Sequence, residues 1–163
     1  MASRWAEWPA AARVAGALIT ATVAGSPAAA QQVLELGVIG IATASDPALV
    51  VGGGYGAVRT SQRTRVSATL AAGLSDDRGA WRGELLVHFL LNPTRQRGTG
   101  FYGAGGVAAV GGAVDQGYLV LALGLEARPG ARSGWFAEAG VGGGARLAAG
   151  FRWRRRPAGA PDL

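Results

Sequence analysis

The 163 residues are enough for one domain and too few for two. Only 16% of them are charged, against about 25% in an ordinary soluble domain, and the 28 glycines far exceed the about 11 expected from average usage. The absence of cysteine excludes disulfides, a thiolate zinc site and a cysteine nucleophile. The net charge of +6 does not indicate nucleic-acid binding, because the arginines alternate with apolar residues or lie in turns.

Residues 1–30 are predicted to be a signal peptide. Arg4 and Arg13 supply a basic start, and residues 14–25 form an apolar run that is shorter than the about 20 residues of a spanning helix. The alternative is an N-terminal membrane helix. Ala28-Ala29-Ala30 has the form of a cleavage site, so the mature chain is expected to begin at Gln31.

After Gln31 the chain divides into eight strand-like segments separated by turn residues. Most of them contain 9 to 12 residues, close to the about 9–11 that a tilted transmembrane strand requires. The predicted strands are residues 33–44, 48–59, 63–74, 80–91, 100–110, 117–128, 134–142 and 146–154.

Residues 81–91 show the clearest alternation. Trp81, Leu85 and Phe89 fall on one face of an extended strand, whereas Arg82, Glu84 and His88 fall on the other. A strand between lipid and a polar lumen has this pattern. The second and fifth segments are too rich in glycine for a face to be assigned.

The turns sort by charge if the strand count is even, because both chain ends then lie on one side. Turns on that side and the C-terminal tail carry arginines, and turns on the far side carry aspartates opposed only by Arg78. The arginines are Arg59, Arg63, Arg95, Arg97, Arg128, Arg132 and Arg154 to Arg156, and the aspartates are Asp46, Asp76, Asp77 and Asp115.

In the last segment, Arg146, Ala148, Phe151 and Trp153 resemble the assembly signal of small outer-membrane β-barrels, with Ala where that family prefers Gly. With the signal peptide and strand lengths, this pattern resembles the small eight-stranded outer-membrane β-barrels of Gram-negative bacteria. The resemblance implies an all-β, antiparallel, up-and-down barrel over residues 31–156, located in the outer membrane. It also implies outer-membrane lipids and the barrel assembly machinery as partners. The chain departs from that pattern by continuing past the signal, and we expect residues 157–163 to be a disordered tail.

Charged residues on the inward faces of the predicted strands form a candidate lumen network. An eight-stranded barrel is just wide enough for side chains to fill, so we expect these charges to pair and close the interior. A polar conduit or a small-ligand pocket is the alternative. The network is predicted to contain Arg63, Arg65, Arg82, Glu84, His88, Glu126, Glu138 and Arg146, with Glu35 on the first strand.

His88 is the only histidine, and we predict that it is structural. Lipid A deacylases of similar size use a His-x-Ser pair, whereas the corresponding residues here are His88, Phe89 and Leu90. No second His or Cys is present for a metal site, and no cofactor is expected.

Aromatic residues near strand ends are candidates for girdles at the membrane interfaces. Phe89, nearer the centre of its segment, is interpreted as plain lipid-facing surface. The candidate girdle residues are Trp81, Phe101, Tyr118, Trp135, Phe151 and Trp153.

These observations predict a non-catalytic outer-membrane barrel with a structural or interaction role. A secreted, lipocalin-like barrel that binds a small apolar ligand is one alternative, and it requires the Leu/Val stripes to point inward. A lipid-modifying barrel enzyme is the other.

Overall fold

The computed structural model describes residues 33–112 and 115–155. The predicted signal peptide (1–30) and the predicted disordered tail (157–163) lie outside the described residues. Among the described residues, no helix is long and apolar enough to cross a membrane. The same residues contain eight strands: β1 (Leu34–Ala44), β2 (Leu49–Arg59), β3 (Thr64–Ser75), β4 (Arg78–Leu90), β5 (Thr99–Gly111), β6 (Gln116–Ala127), β7 (Ser133–Val141) and β8 (Ala145–Arg155).

The strands form a closed antiparallel barrel in which each one pairs with its neighbours in sequence. β1 and β8 complete the closure, with Leu34 opposite Arg155 and Ala44 opposite Ala145. Closure pairs every strand on both edges, which removes the exposed edges of an open sheet. The predicted fold class, an all-β up-and-down barrel, is confirmed.

Each observed strand begins and ends within two residues of its predicted bounds. The largest shift is at β4, which begins at Arg78 rather than residue 80. Ser75 pairs with Arg78, so the β3–β4 turn consists of Asp76 and Asp77 alone. Both have positive φ, 45° and 61°, as a tight hairpin turn requires.

The two ends of the barrel differ in charge, and we name them accordingly. The basic end contains the turns at residues 60–63, 91–98 and 128–132, together with the ends of β1 and β8 at Leu34 and Arg155. The acidic end contains the described parts of the turns at residues 45–48, 76–77, 112–115 and 142–144.

The outer face of the barrel is apolar on every strand. Large hydrophobic side chains such as Leu70, Leu119 and Leu123 are 68%, 79% and 75% exposed. The inner face is mixed. An apolar cluster lies inside β1 and β2 and includes Ile39, Ile41, Leu49 and Val51. The rest of the interior is rich in charged side chains.

Candidate functional site

A first group of buried charges lies in the half of the lumen nearer the acidic end. Arg146 holds Glu84 with two hydrogen bonds, Nη2 to Oε2 at 2.7 Å and Nε to Oε1 at 3.0 Å. Arg82 donates to the same carboxylate at 2.7 Å, and Arg146 also donates to Glu138 at 2.8 Å. Two arginines and two glutamates therefore balance each other here.

A second group lies nearer the basic end and is centred on Glu35, which is fully buried. Four arginines surround its carboxylate, with N–O distances of 2.9 to 3.5 Å: Arg59, Arg65, Arg152 and Arg154. Glu126 is the second carboxylate of this group and pairs with Arg65 at 3.0 Å and with Arg152. Four arginines therefore face two glutamates, which leaves an excess of positive charge.

Tyr102 joins the two groups, and His88 lies beside it, with ring centres 5.3 Å apart. The Tyr102 hydroxyl donates to Glu138 at 2.9 Å, and the Arg65 guanidinium lies 5.0 Å from the centre of the Tyr102 ring. Arg65 Nη2 is 3.2 Å from His88 Nδ1, and Ser67 Oγ is 2.7 Å from His88 Nε2. A guanidinium can only donate, so Nδ1 accepts and Nε2 carries the proton that is donated to Ser67.

Two arginines of the second group also fasten the turns at the basic end. Arg59 donates to the carbonyls of Pro93 and Pro129 at 3.4 and 3.1 Å. Arg154 donates to the carbonyl of Ala131 at 2.7 Å. Because both arginines also bind Glu35, the turns over this mouth are tied to the buried network.

The structure brings most of the predicted lumen residues together, but Arg63 is an exception. It has the parity of the inner face, yet it lies in the turn before β3 begins at Thr64, and it is exposed. The other predicted lumen residues are buried and face the interior: Glu35, Arg65, Arg82, Glu84, His88, Glu126, Glu138 and Arg146.

The prediction missed several members of the network. Arg152 and Arg154 share the face of Arg146, so the alternation of β8 was a sufficient signal for both. Tyr102 lies on the glycine-rich β5, whose face could not be assigned, and Ser67 meets His88 only through the β3–β4 register. Arg59 was predicted only as a turn arginine.

The candidate girdle residues lie mainly at the basic end. Phe101, Trp135 and Trp153 are 55%, 48% and 53% exposed on the outer face, and Phe151 packs on Trp153 with ring centres 5.0 Å apart. Trp81 is exposed near the acidic end.

The structure corrects two of the aromatic interpretations: Tyr118 does not face outward, and Phe89 faces outward but is not central. Tyr118 has inward parity on β6 and lines the acidic mouth, where its hydroxyl bonds to Gln116. Phe89 is not central, because it pairs with Thr64 at the basic end of β4, and its exposed side chain (53%) therefore belongs with the basic-end aromatics.

The acidic mouth contains a small cleft with a volume of about 30 Å³, lined by Ser45, Asp46, Arg82 and Tyr118 among others. No group of three or more potential metal ligands occurs within the ranges 33–112 and 115–155.

The class of structure is therefore a closed up-and-down barrel with an apolar exterior and a charged, hydrogen-bonded interior. It is similar to the N-terminal β-barrel domain of OprF from Pseudomonas aeruginosa, with a TM-score of 0.59 and 15% identity over 76% of this chain and 98% of that one. At this identity the likeness shows the fold alone. No protein-family model matches the chain, and no curated protein matches it.

Proposed function

We propose that this chain is a small, non-catalytic outer-membrane barrel with a structural or interaction role, whose interior is closed by paired charges. The observation that carries the proposal is the apolar outer face, to which all eight described strands contribute exposed Leu, Val, Phe or Trp. Water-soluble proteins rarely expose continuous apolar patches above a few hundred Å². A barrel that is surrounded by lipid has such a surface.

The lipocalin-like alternative needs the opposite arrangement of side chains. A soluble barrel with an apolar ligand requires Leu and Val inside and the charged residues in water. Here Leu121 and Leu147 are 64% and 63% exposed, whereas Arg65 and Arg146 are fully buried. This distribution favours the membrane barrel.

Cell fractionation tests the location. We expect the full chain in the outer-membrane fraction, with a faster gel mobility before heating than after it, because a folded membrane barrel resists detergent. Recovery in the soluble fraction without detergent would contradict the proposal.

The closed interior is supported by the density of ion pairs across the lumen. Glu35 and Glu84 each bind more than one arginine, and the aromatic rings of Tyr102 and Phe136 fill space between the charged groups. We expect liposomes that contain the refolded protein to exclude small sugars, as protein-free liposomes do. Rapid sugar entry would indicate a conduit instead.

The proposal that the barrel is non-catalytic is supported by the tautomer of His88. Its Nε2 proton is donated to Ser67, so this nitrogen cannot accept the Ser67 proton and activate the hydroxyl. Lipid A mass spectra should be the same with the wild-type chain, with Ser67→Ala and after deletion. A lipid A species that requires Ser67 would favour the lipid-modifying enzyme.

A further inference from the structure

The exposed charges of the described residues are sorted between the two ends of the barrel. Within residues 33–112 and 115–155, the acidic end exposes four aspartates and one arginine, Arg78. The exposed charged residues of the basic end are all arginines: Arg63, Arg95, Arg97, Arg128, Arg132 and Arg155. None of these six forms an ion pair within the described ranges, so their charges are available to a partner.

These arginines surround the barrel instead of forming a local patch. Arg63 lies between β2 and β3, Arg97 between β4 and β5, and Arg132 between β6 and β7. Arg155 ends β8. We call the six residues the arginine rim.

The exposed aromatic side chains lie next to the rim. The carbonyl of Arg132 accepts a hydrogen bond from the Arg154 amide at 2.7 Å, which places Arg132 beside Trp153. Trp135 follows Arg132 by three residues, and Phe101 follows Arg97 by four. At this end the apolar band is therefore bordered first by aromatic rings and then by guanidinium groups.

We propose that the arginine rim binds the phosphates of anionic phospholipids, so that the basic end lies in an anionic phospholipid leaflet. A ligand of this surface contacts the apolar band and the rim arginines together. An amphiphile with a negatively charged head group matches both. Guanidinium groups bind phosphate with two parallel hydrogen bonds. The proposal rests on the proposed function, because it assumes that lipid surrounds the barrel.

Tryptophan quenching by brominated lipids tests the proposal at each end separately. The full chain, with Trp5 and Trp8 changed to Phe, is refolded into mixed phosphatidylcholine and phosphatidylglycerol vesicles. Either the neutral or the anionic lipid carries bromine. A Trp81→Phe variant leaves Trp135 and Trp153 to report on the basic end. A variant with both of those changed to Phe leaves Trp81 to report on the acidic end.

At the basic end we expect anionic lipid to be preferred over neutral lipid by about fivefold, the effect of one arginine near an anionic surface. At Trp81 we expect no preference. The ratio of anionic to neutral lipid at the basic end should fall in the triple variant Arg63→Gln, Arg97→Gln, Arg132→Gln, which keeps three of the six rim arginines, and should be unchanged in the matched control Arg78→Gln. High salt should weaken the preference for anionic lipid in the chain that keeps all six rim arginines. This tests the charge effect without a substitution that could alter folding.

The outcomes separate this inference from the proposed function. If neither lipid quenches any of the three tryptophans, the barrel is not in lipid and the proposed function fails. If both lipids quench the basic-end tryptophans equally, or if neither the triple substitution nor high salt lowers the preference, the barrel is in the membrane and the rim proposal fails. Retention of the preference in a triple Lys variant would support a charge effect.

Discussion

Glu35 shows how a single residue holds the basic half of the interior together. Its carboxylate is fully buried and lies within 3.5 Å of guanidinium nitrogens from four arginines on β2, β3 and β8. A buried ion pair adds little net stability when both partners are present, since desolvation offsets the attraction. Removing one partner is different, because the remaining charges stay buried without compensation.

We therefore expect Glu35→Gln to lower the free energy of unfolding by about 3–5 kcal/mol. The matched control is Asp46→Asn, which removes an exposed carboxylate that forms no ion pair within the described residues and should change stability by less than about 0.5 kcal/mol. Urea unfolding of the refolded barrel in detergent, followed by gel mobility, measures both. Equal midpoints for the two variants would contradict the role of Glu35.

For single residues, the sequence predicted the inward direction of side chains better than it predicted which partners those side chains contact. Alternation alone placed Arg82, Glu84 and His88 on the inner face. It failed at Arg63, because parity does not say where a strand begins. The His88–Ser67 bond depends on the register of two strands, which the sequence pattern does not specify.

Two inward-pointing aromatic rings lie opposite glycines on the neighbouring strand. Tyr102 lies directly opposite Gly124 on β6, and Phe136 lies opposite Gly150 on β8. A Cβ atom at Gly124 would overlap the Tyr102 ring. Glycine here makes room for a ring inside a narrow lumen, which gives part of the unusual glycine content a structural reason.

Gly124→Ala should destabilise the barrel by about 1–3 kcal/mol, because the Tyr102 ring would have to move away from the β6 backbone and its hydroxyl from Glu138. Gly54→Ala is the matched control. Gly54 is exposed on the outer face of β2, and a Cβ atom added there would meet no other atom within 4 Å, so alanine should be neutral or stabilise by up to about 1 kcal/mol. Urea midpoints compare the two, and a smaller loss at Gly124 than at Gly54 would show that the ring does not need this space.

The strands themselves were predictable because turn residues and length bound each one, even where glycine hid its face. That is why the bounds of β2 and β5 were predicted while the inward direction of Tyr55 and Tyr102 was not. A glycine has no side chain and so adds nothing to the apolar–polar alternation. Which face of those two strands points inward is therefore set by their pairing with the neighbouring strands.

At the scale of the whole molecule, the antiparallel order of the eight strands places the arginine-bearing turns at one end of the barrel and the aspartate-bearing turns at the other. The described chain enters and leaves at the basic end, and alternate turns fall at opposite ends. The same closure separates an apolar exterior from a charged interior. A substitution on the outer face therefore probes the surroundings of the barrel without disturbing the network inside it.

Leu123 offers the sharpest probe, since it lies near the middle of β6 and is 75% exposed. In a bilayer, Leu123→Arg places a charge near the hydrocarbon centre, and we expect it to lower the free energy of unfolding by about 2–4 kcal/mol. Gln96→Arg adds the same side chain to an exposed turn at the basic end and should fold like the wild type. The folded fraction in vesicles, measured by heat-modifiable gel mobility, compares them. Equal folding of both variants would mean that water, not lipid, surrounds β6.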